Sequence, residues 1–97
     1  KSIVPSNFFL YQNFPNPFNL FTEIRYDLPD DTHVKISIYN IKGKLVKNLI
    51  DNFQHSGKKS VYWNSMNFNN EIVAGGLYFC TLEINNFRQS RKIILLK

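Results

Sequence analysis

Ala74-Gly75-Gly76-Leu77-Tyr78-Phe79-Cys80 is the stretch that decides the fold. A glycine pair interrupts any regular element, and an alternating run starts directly after it. Tyr78 stands two residues ahead of Cys80, the spacing of a tyrosine corner at the start of strand F in an immunoglobulin-like domain. Cys80 is the single cysteine, so no internal disulfide forms and the core must hold by packing alone. Trp63, Tyr78, Cys80 and Leu82 are its expected members, with Cys80 a small core residue and not a nucleophile.

The same period-2 alternation appears on both sides of this stretch. Residues 22–28 set Ile24, Tyr26 and Leu28 against Glu23, Arg25 and Asp27, before Pro29, Asp30 and Asp31 break the pattern. Residues 33–40 set Val34, Ile36 and Ile38 against Lys35, Ser37 and Tyr39, and Gly43 supplies a positive-φ turn. Residues 44–50 read as an edge strand punctuated by Lys44 and Lys47. Residues 51–57 read as a loop, 58–64 as a strand carrying Val61 and Trp63 inward, and 65–76 as an asparagine-rich loop. Residues 77–84 and 87–96 are joined by Asn85-Asn86, a pair suited to a type I′ hairpin. A short strand over 8–12 brings the total to about seven, and no stretch reads as a helix. The expected fold is an all-β, immunoglobulin-like antiparallel sandwich spanning residues 8–97, with residues 1–7 a linker from a larger parent.

Composition removes several function classes. Aromatics make up 15% of 97 residues, too apolar a load for a disordered chain. No apolar run is long enough to span a membrane, and Pro5, Ser6 and Asn7 spoil any signal-peptide core near the start. The net charge of +5 is spread from Lys1 to Lys97 without an aromatic-basic motif, which argues for a solvated surface and against nucleic acid. His33 and His55 are the only histidines, and neither has a nucleophile or carboxylate at a meaningful spacing. Asp27, Asp30 and Asp31 lack the spacing of a calcium loop and read as turn caps. The chain is expected to be non-catalytic, without cofactor or metal.

Residues 12–19, Gln-Asn-Phe-Pro-Asn-Pro-Phe-Asn, cannot form a regular element. Pro15 and Pro17 remove two backbone donors and hold Phe14 and Asn16 extended. Asn13, Asn16 and Asn19 can fold their amides onto nearby backbone in place of a ladder. Phe14 and Phe18 are then expected to plug one end of the sandwich, the whole knot forming a rigid lid.

Taken in order, this knot, Thr22-Glu23-Ile24-Arg25-Tyr26-Asp27-Leu28-Pro29, Val34 through Gly43, Val61-Tyr62-Trp63-Asn64, Ala74 through Phe79 and the terminal Arg91-Lys92-Ile93-Ile94-Leu95-Leu96-Lys97 closely resemble one family. It is the type A C-terminal sorting domain of proteins exported by the type IX secretion system of Bacteroidetes. The chain departs from it at Leu20-Phe21, where the family usually has a proline and a small residue. Gly75-Gly76 replaces a common Ser-Gly, and Asn64 replaces a frequent aspartate.

The resemblance implies a folded label on a larger cargo protein. The parent would pass through the periplasm to an outer-membrane translocon, a sortase would cut upstream, and the cargo would be released or fixed at the cell surface. It also implies recognition through Arg91, Lys92, Ile93, Ile94, Leu95, Leu96 and Lys97. From the residues themselves, the apolar run 93–96 reads as a strand buried on both faces. Its closeness to the chain end instead suggests a free edge that a receptor strand could complete. Two rival readings are binding modules: a carbohydrate- or protein-binding accessory domain using Trp63, Tyr39 or Tyr62, and the immunoglobulin-like domain of flagellar hook-capping proteins.

Overall fold

The structure is a computed structural model that describes residues 4–96. Lys1, Ser2 and Ile3 of the expected linker, and Lys97 of the expected recognition segment, lie outside the described residues. Seven strands follow one another: β1 (Phe9–Leu10), β2 (Thr22–Leu28), β3 (Thr32–Tyr39), β4 (Leu45–Gln54), β5 (Gly57–Trp63), β6 (Gly76–Ile84) and β7 (Phe87–Leu95). They form two antiparallel sheets, ordered β1-β2-β5 and β4-β3-β6-β7. This is an immunoglobulin-like sandwich in which the fourth strand pairs with the third. No helix occurs among the described residues.

Alternation places the core where the sequence requires it. Ile24, Tyr26, Leu28 and Trp63 from the smaller sheet face Val34, Ile36, Ile38, Cys80, Leu82, Ile84 and Ile93 from the larger, all buried. Each such side chain contributes about 1.5–3 kcal/mol by leaving water. The two buried hydroxyl-bearing rings also find partners. Tyr26 Oη donates to Gln54 Oε1 at 2.6 Å, and Tyr78 Oη donates to the Ala74 carbonyl at 2.6 Å. The second bond is the tyrosine corner that the Tyr78–Cys80 spacing predicts. Trp63 meets Tyr78 edge-on at 5.4 Å and donates its indole N–H to the Met66 carbonyl at 3.0 Å.

Several local expectations change. The first strand pairs formally over Phe9 and Leu10 only. β4 does not stop at Ile50, because Asp51 through Gln54 continue the ladder opposite Lys35 through Thr32. The expected loop over 51–57 contracts to His55 and Ser56, where Asp31 accepts the Ser56 N–H at 2.8 Å. That bond is also the main reason the Asp31 carboxyl lies below its ordinary value. Polar Asp51 and Asn52 hid the strand, since both are disfavoured in strands on propensity alone. β4 is an edge strand, as Lys44 and Lys47 suggest, and two register shifts give it bulges. Gly43 has φ +79° as its turn demands. In the Asn85-Asn86 hairpin only Asn85, at φ +52°, is positive, whereas a type I′ turn needs two positive positions.

Two measurements check this core. Tyr78→Phe should lower stability by roughly 1 kcal/mol, because the Ala74 carbonyl loses its partner. That corresponds to a fall of about 4–8 °C in Tm for a domain of this size. Burial pushes the Cys80 thiol up to about 12. At pH 8 only about one thiol in ten thousand is then thiolate, so Ellman's reagent should report no free thiol until denaturant is added, and one thereafter.

Candidate functional site

The proline knot and the carboxyl-terminal strand form a single unit. The chain leaves β1 still following β2: Tyr11 N–H donates to the Arg25 carbonyl at 3.0 Å, and Phe14 exchanges bonds of 3.0 and 2.8 Å with Glu23. Three steps on this strand match two on β2, so the segment bulges between Tyr11 and Phe14. Asn13 sits buried at the centre. Its amide donates to the Pro15 carbonyl at 3.1 Å and to Thr22 Oγ1 at 2.8 Å, and its Oδ1 accepts from Gln12 Nε2 at 2.8 Å. Asn13 thus folds onto local backbone as its type predicts. The peptide bonds preceding Pro15 and Pro17 are both cis.

Only one of the two phenyl rings is the plug. Phe18 is 1% exposed and packs on Trp63 with ring centroids 5.9 Å apart. Phe14 is 74% exposed, which corrects its expected role. The reason is register. Phe14 pairs directly with Glu23, and directly paired residues point to the same face, here the outer one.

Beyond Asn13 the knot turns towards β7. Phe18 N–H donates to the Ile94 carbonyl at 2.9 Å, and Leu96 N–H donates to the Phe18 carbonyl at 2.8 Å. Asn16 Oδ1 accepts the Ile94 N–H at 2.9 Å, and Gln12 Nε2 donates to the Lys92 carbonyl at 2.7 Å. Phe18 and Leu95 form a parallel bridge. The outward backbone of the last strand is therefore occupied by its own chain, and the expected free edge at the tail is corrected. Higher on β7, side chains do the closing. Gln89 Oε1 accepts the Leu10 N–H and Arg91 Nε donates to the Leu10 carbonyl, each at 2.8 Å.

The structure sorts the expected recognition residues into two classes. Ile93 and Leu95 point into the core, at 0% and 3% exposure, while Ile94 and Leu96 point out, at 41% and 48%. The run is a half-buried strand, not one covered on both faces. Arg91 is committed to Leu10 and lies 5.2 Å from the centre of the Phe9 ring. The side chain of Lys92 is exposed. Near the chain end, Asn19, Leu20, Ser65, Ile72, Leu95 and Leu96 line a mainly apolar cleft of about 250 Å³. Ser65 is fully buried at φ +67° and donates to the Leu20 carbonyl at 2.6 Å, tying the asparagine-rich loop to the end of the knot. Nothing in the sequence marks Ser65, Gln12 or Gln89 for these roles, because each acts on a distant backbone group.

The remaining candidates have local partners. Asp27 accepts the Tyr11 hydroxyl, and that bond is the first reason the hydroxyl titrates above its usual range. His33 is 2.6 Å from Asp51, and His55 is 3.4 Å from Asp31, all on the surface. Trp63 is completely buried and cannot serve as a sugar platform, although Tyr62 is 62% exposed. Gly76, at φ +146°, follows Gly75 and opens β6 opposite Leu95.

The sequence matches the family described as "Secretion system C-terminal sorting domain" over residues 12–96. The chain belongs to that family. The match runs from Gln12 of the knot to Leu96 of the tail, the two segments that the sorting domain binds together. Similar solved structures include dimeric latent PorU from Porphyromonas gingivalis, with TM-score 0.69, 20% identity, and coverage of 97% of this chain and 10% of that one. PorZ, described as an essential surface component of the type-IX secretion system of the same organism, matches with TM-score 0.62, 16% identity, and coverage of 93% and 11%. FlgD from P. aeruginosa matches with TM-score 0.61, 19% identity, and coverage of 76% and 58%. At these identities the likeness is one of fold. The chain spans about a tenth of PorU and of PorZ. No curated protein matches the sequence significantly.

The two phenyl rings of the knot separate experimentally. Phe18→Ala should cost about 3–5 kcal/mol in urea unfolding, as for other fully buried phenylalanines. Phe14→Ala should stay within about 0.5 kcal/mol. Trp63 emission reports both transitions.

Proposed function

We propose that this domain is a non-catalytic label that directs a larger cargo protein through the type IX secretion system. The observation that carries the reading is the family match across nearly the whole chain, knot and tail included. The parent would reach the periplasm by an ordinary export signal and present this domain, residues 8–97, to the outer-membrane translocon. A sortase would cut in or before the linker, residues 1–7, and the cargo would be released or joined to the surface. Val4 through Asn7 belong to no strand, which suits a segment that a protease must reach. Recognition would involve residues 91–97.

The inventory of reactive groups supports a non-catalytic role. The one thiol is buried and its ionisation is suppressed. His33 is paired with Asp51 and His55 with Asp31, both at the surface, and the His55 ring also packs edge-on against Phe53. No cofactor is part of this reading, and neither nucleic acid nor membrane insertion enters it.

The test is a fusion of residues 1–97 to the carboxyl end of a reporter that carries an ordinary export signal. In a type IX-competent bacterium the reporter should appear in the medium or on the surface. In a strain lacking the translocon it should stay in the periplasm. Equal distribution in the two strains would overturn the reading. Truncation of residues 93–97 is a poorer test, because it also strips Ile93 and Leu95 from the core.

A further inference from the structure

The outward positions of β7 change character along the strand. Arg88, Ser90 and Lys92 are exposed and polar, as a solvated face requires. The same period then places Ile94 and Leu96 in water, and Leu77 of β6, the register partner of Ile94, is exposed beside them. Folding does not need this change, since Ile93 and Leu95 already supply the inward half. Contiguous exposed apolar side chains on a small domain mark a surface that is covered in use.

Two further observations say how it is covered. The outward backbone at Ile94, and the N–H of Leu96, are already bonded to Asn16 and Phe18. A partner strand therefore has no ladder to join here. Among the described residues, the charge beside the patch is positive. Lys92 stands in the adjoining row opposite Phe79, while the carboxylates of this face, Glu83 and Asp51, lie at its far end in register with Lys35 and Arg88. Glu71, the neighbour of Ile72, is bonded within its own loop to Asn67.

We propose that the outward side chains Leu77, Ile94 and Leu96, with Lys92 beside them, are a docking face for a protein whose apolar surface is rimmed by carboxylates. The proposal rests on the sorting reading, and names the chemistry by which the translocon would read the tail. The cleft beneath Leu96 receives one apolar side chain of that protein, a concave feature that a lipid surface would not use. Ile93 and Leu95 only position the face, and the knot holds it flat against the end of the sandwich.

The reporter fusion described above provides the test. Ile94→Ser combined with Leu96→Ser should cut exported reporter by about tenfold or more, as loss of central interface contacts does. The Tm and buried-tryptophan emission of the purified variant should stay at wild-type values. Leu77→Ser, on a different strand, should act in the same direction, and Lys92→Glu should reduce export more than Lys92→Gln. Phe53→Ser, an exposed apolar change on β4 away from this face, should leave export unchanged.

If the unaltered fusion is exported and the double variant and Leu77→Ser are exported equally well, the docking face is wrong while the sorting reading stands. If the unaltered fusion is not exported, the sorting reading itself fails. Should the double variant prove unfolded, Leu77→Ser and Lys92→Glu decide by the same criterion. Cosedimentation of the domain with phosphatidylglycerol vesicles, lost in the double variant, would make the occupant a lipid surface and overturn the proposal.

Discussion

Two backbone hydrogen bonds join Phe18 to the carboxyl-terminal segment and hold that end of the molecule together. Phe18 donates to Ile94 and accepts from Leu96, while its ring fills the end of the core against Trp63. One residue thus couples a segment without regular structure to the strand that closes the sheet. The prolines make this possible by a negative effect. With their N–H groups gone, the knot cannot compete for a place within a sheet, and it lies across an edge instead. Asn13 and Asn16 then supply the polar contacts that a ladder would have made.

That arrangement also manages a hazard. The last strand of an open sheet is a ready template for pairing with another chain, and β7 ends in three consecutive apolar residues with Leu96 directly after them. Its own chain covers the apolar end of this edge, and the Gln89 and Arg91 side chains tie its earlier part to Leu10. At the opposite edge, β4 is bulged and bears Lys47. On the proposed reading, a label carried by many copies of a cargo gains from edges that do not stick to one another, and a docking face made of side chains would keep that protection in place.

Much of the fold was legible because it depends on local rules. Alternation located β2, β3, β6 and β7 almost to the residue, and the Tyr78–Cys80 spacing announced the corner that the Tyr78–Ala74 bond completes. The knot was legible as a special segment, since nothing regular tolerates Pro15 and Pro17 so close together. What each ring in it does was not legible. Phe14 and Phe18 look equivalent in sequence, and only the pairing of Phe14 with Glu23 turns one of them outward. The strand over Asp51 to Gln54 was hidden by polar residues that pair with β3 regardless of propensity. The covering of the tail was also invisible, because Asn16 and Ile94 are 78 residues apart and no periodicity links them.

The knot covers the outward backbone of the last strand, so the proposed partner would meet Ile94 and Leu96 through their side chains alone. Amide hydrogen exchange followed by NMR measures this directly. The Ile94 and Leu96 amides should exchange as slowly as those of the paired strand β6, and Asn16→Ala should speed exchange at Ile94. Exchange at Ile94 and Leu96 in the intact domain at the rate of an unstructured peptide would show an open edge and contradict the account.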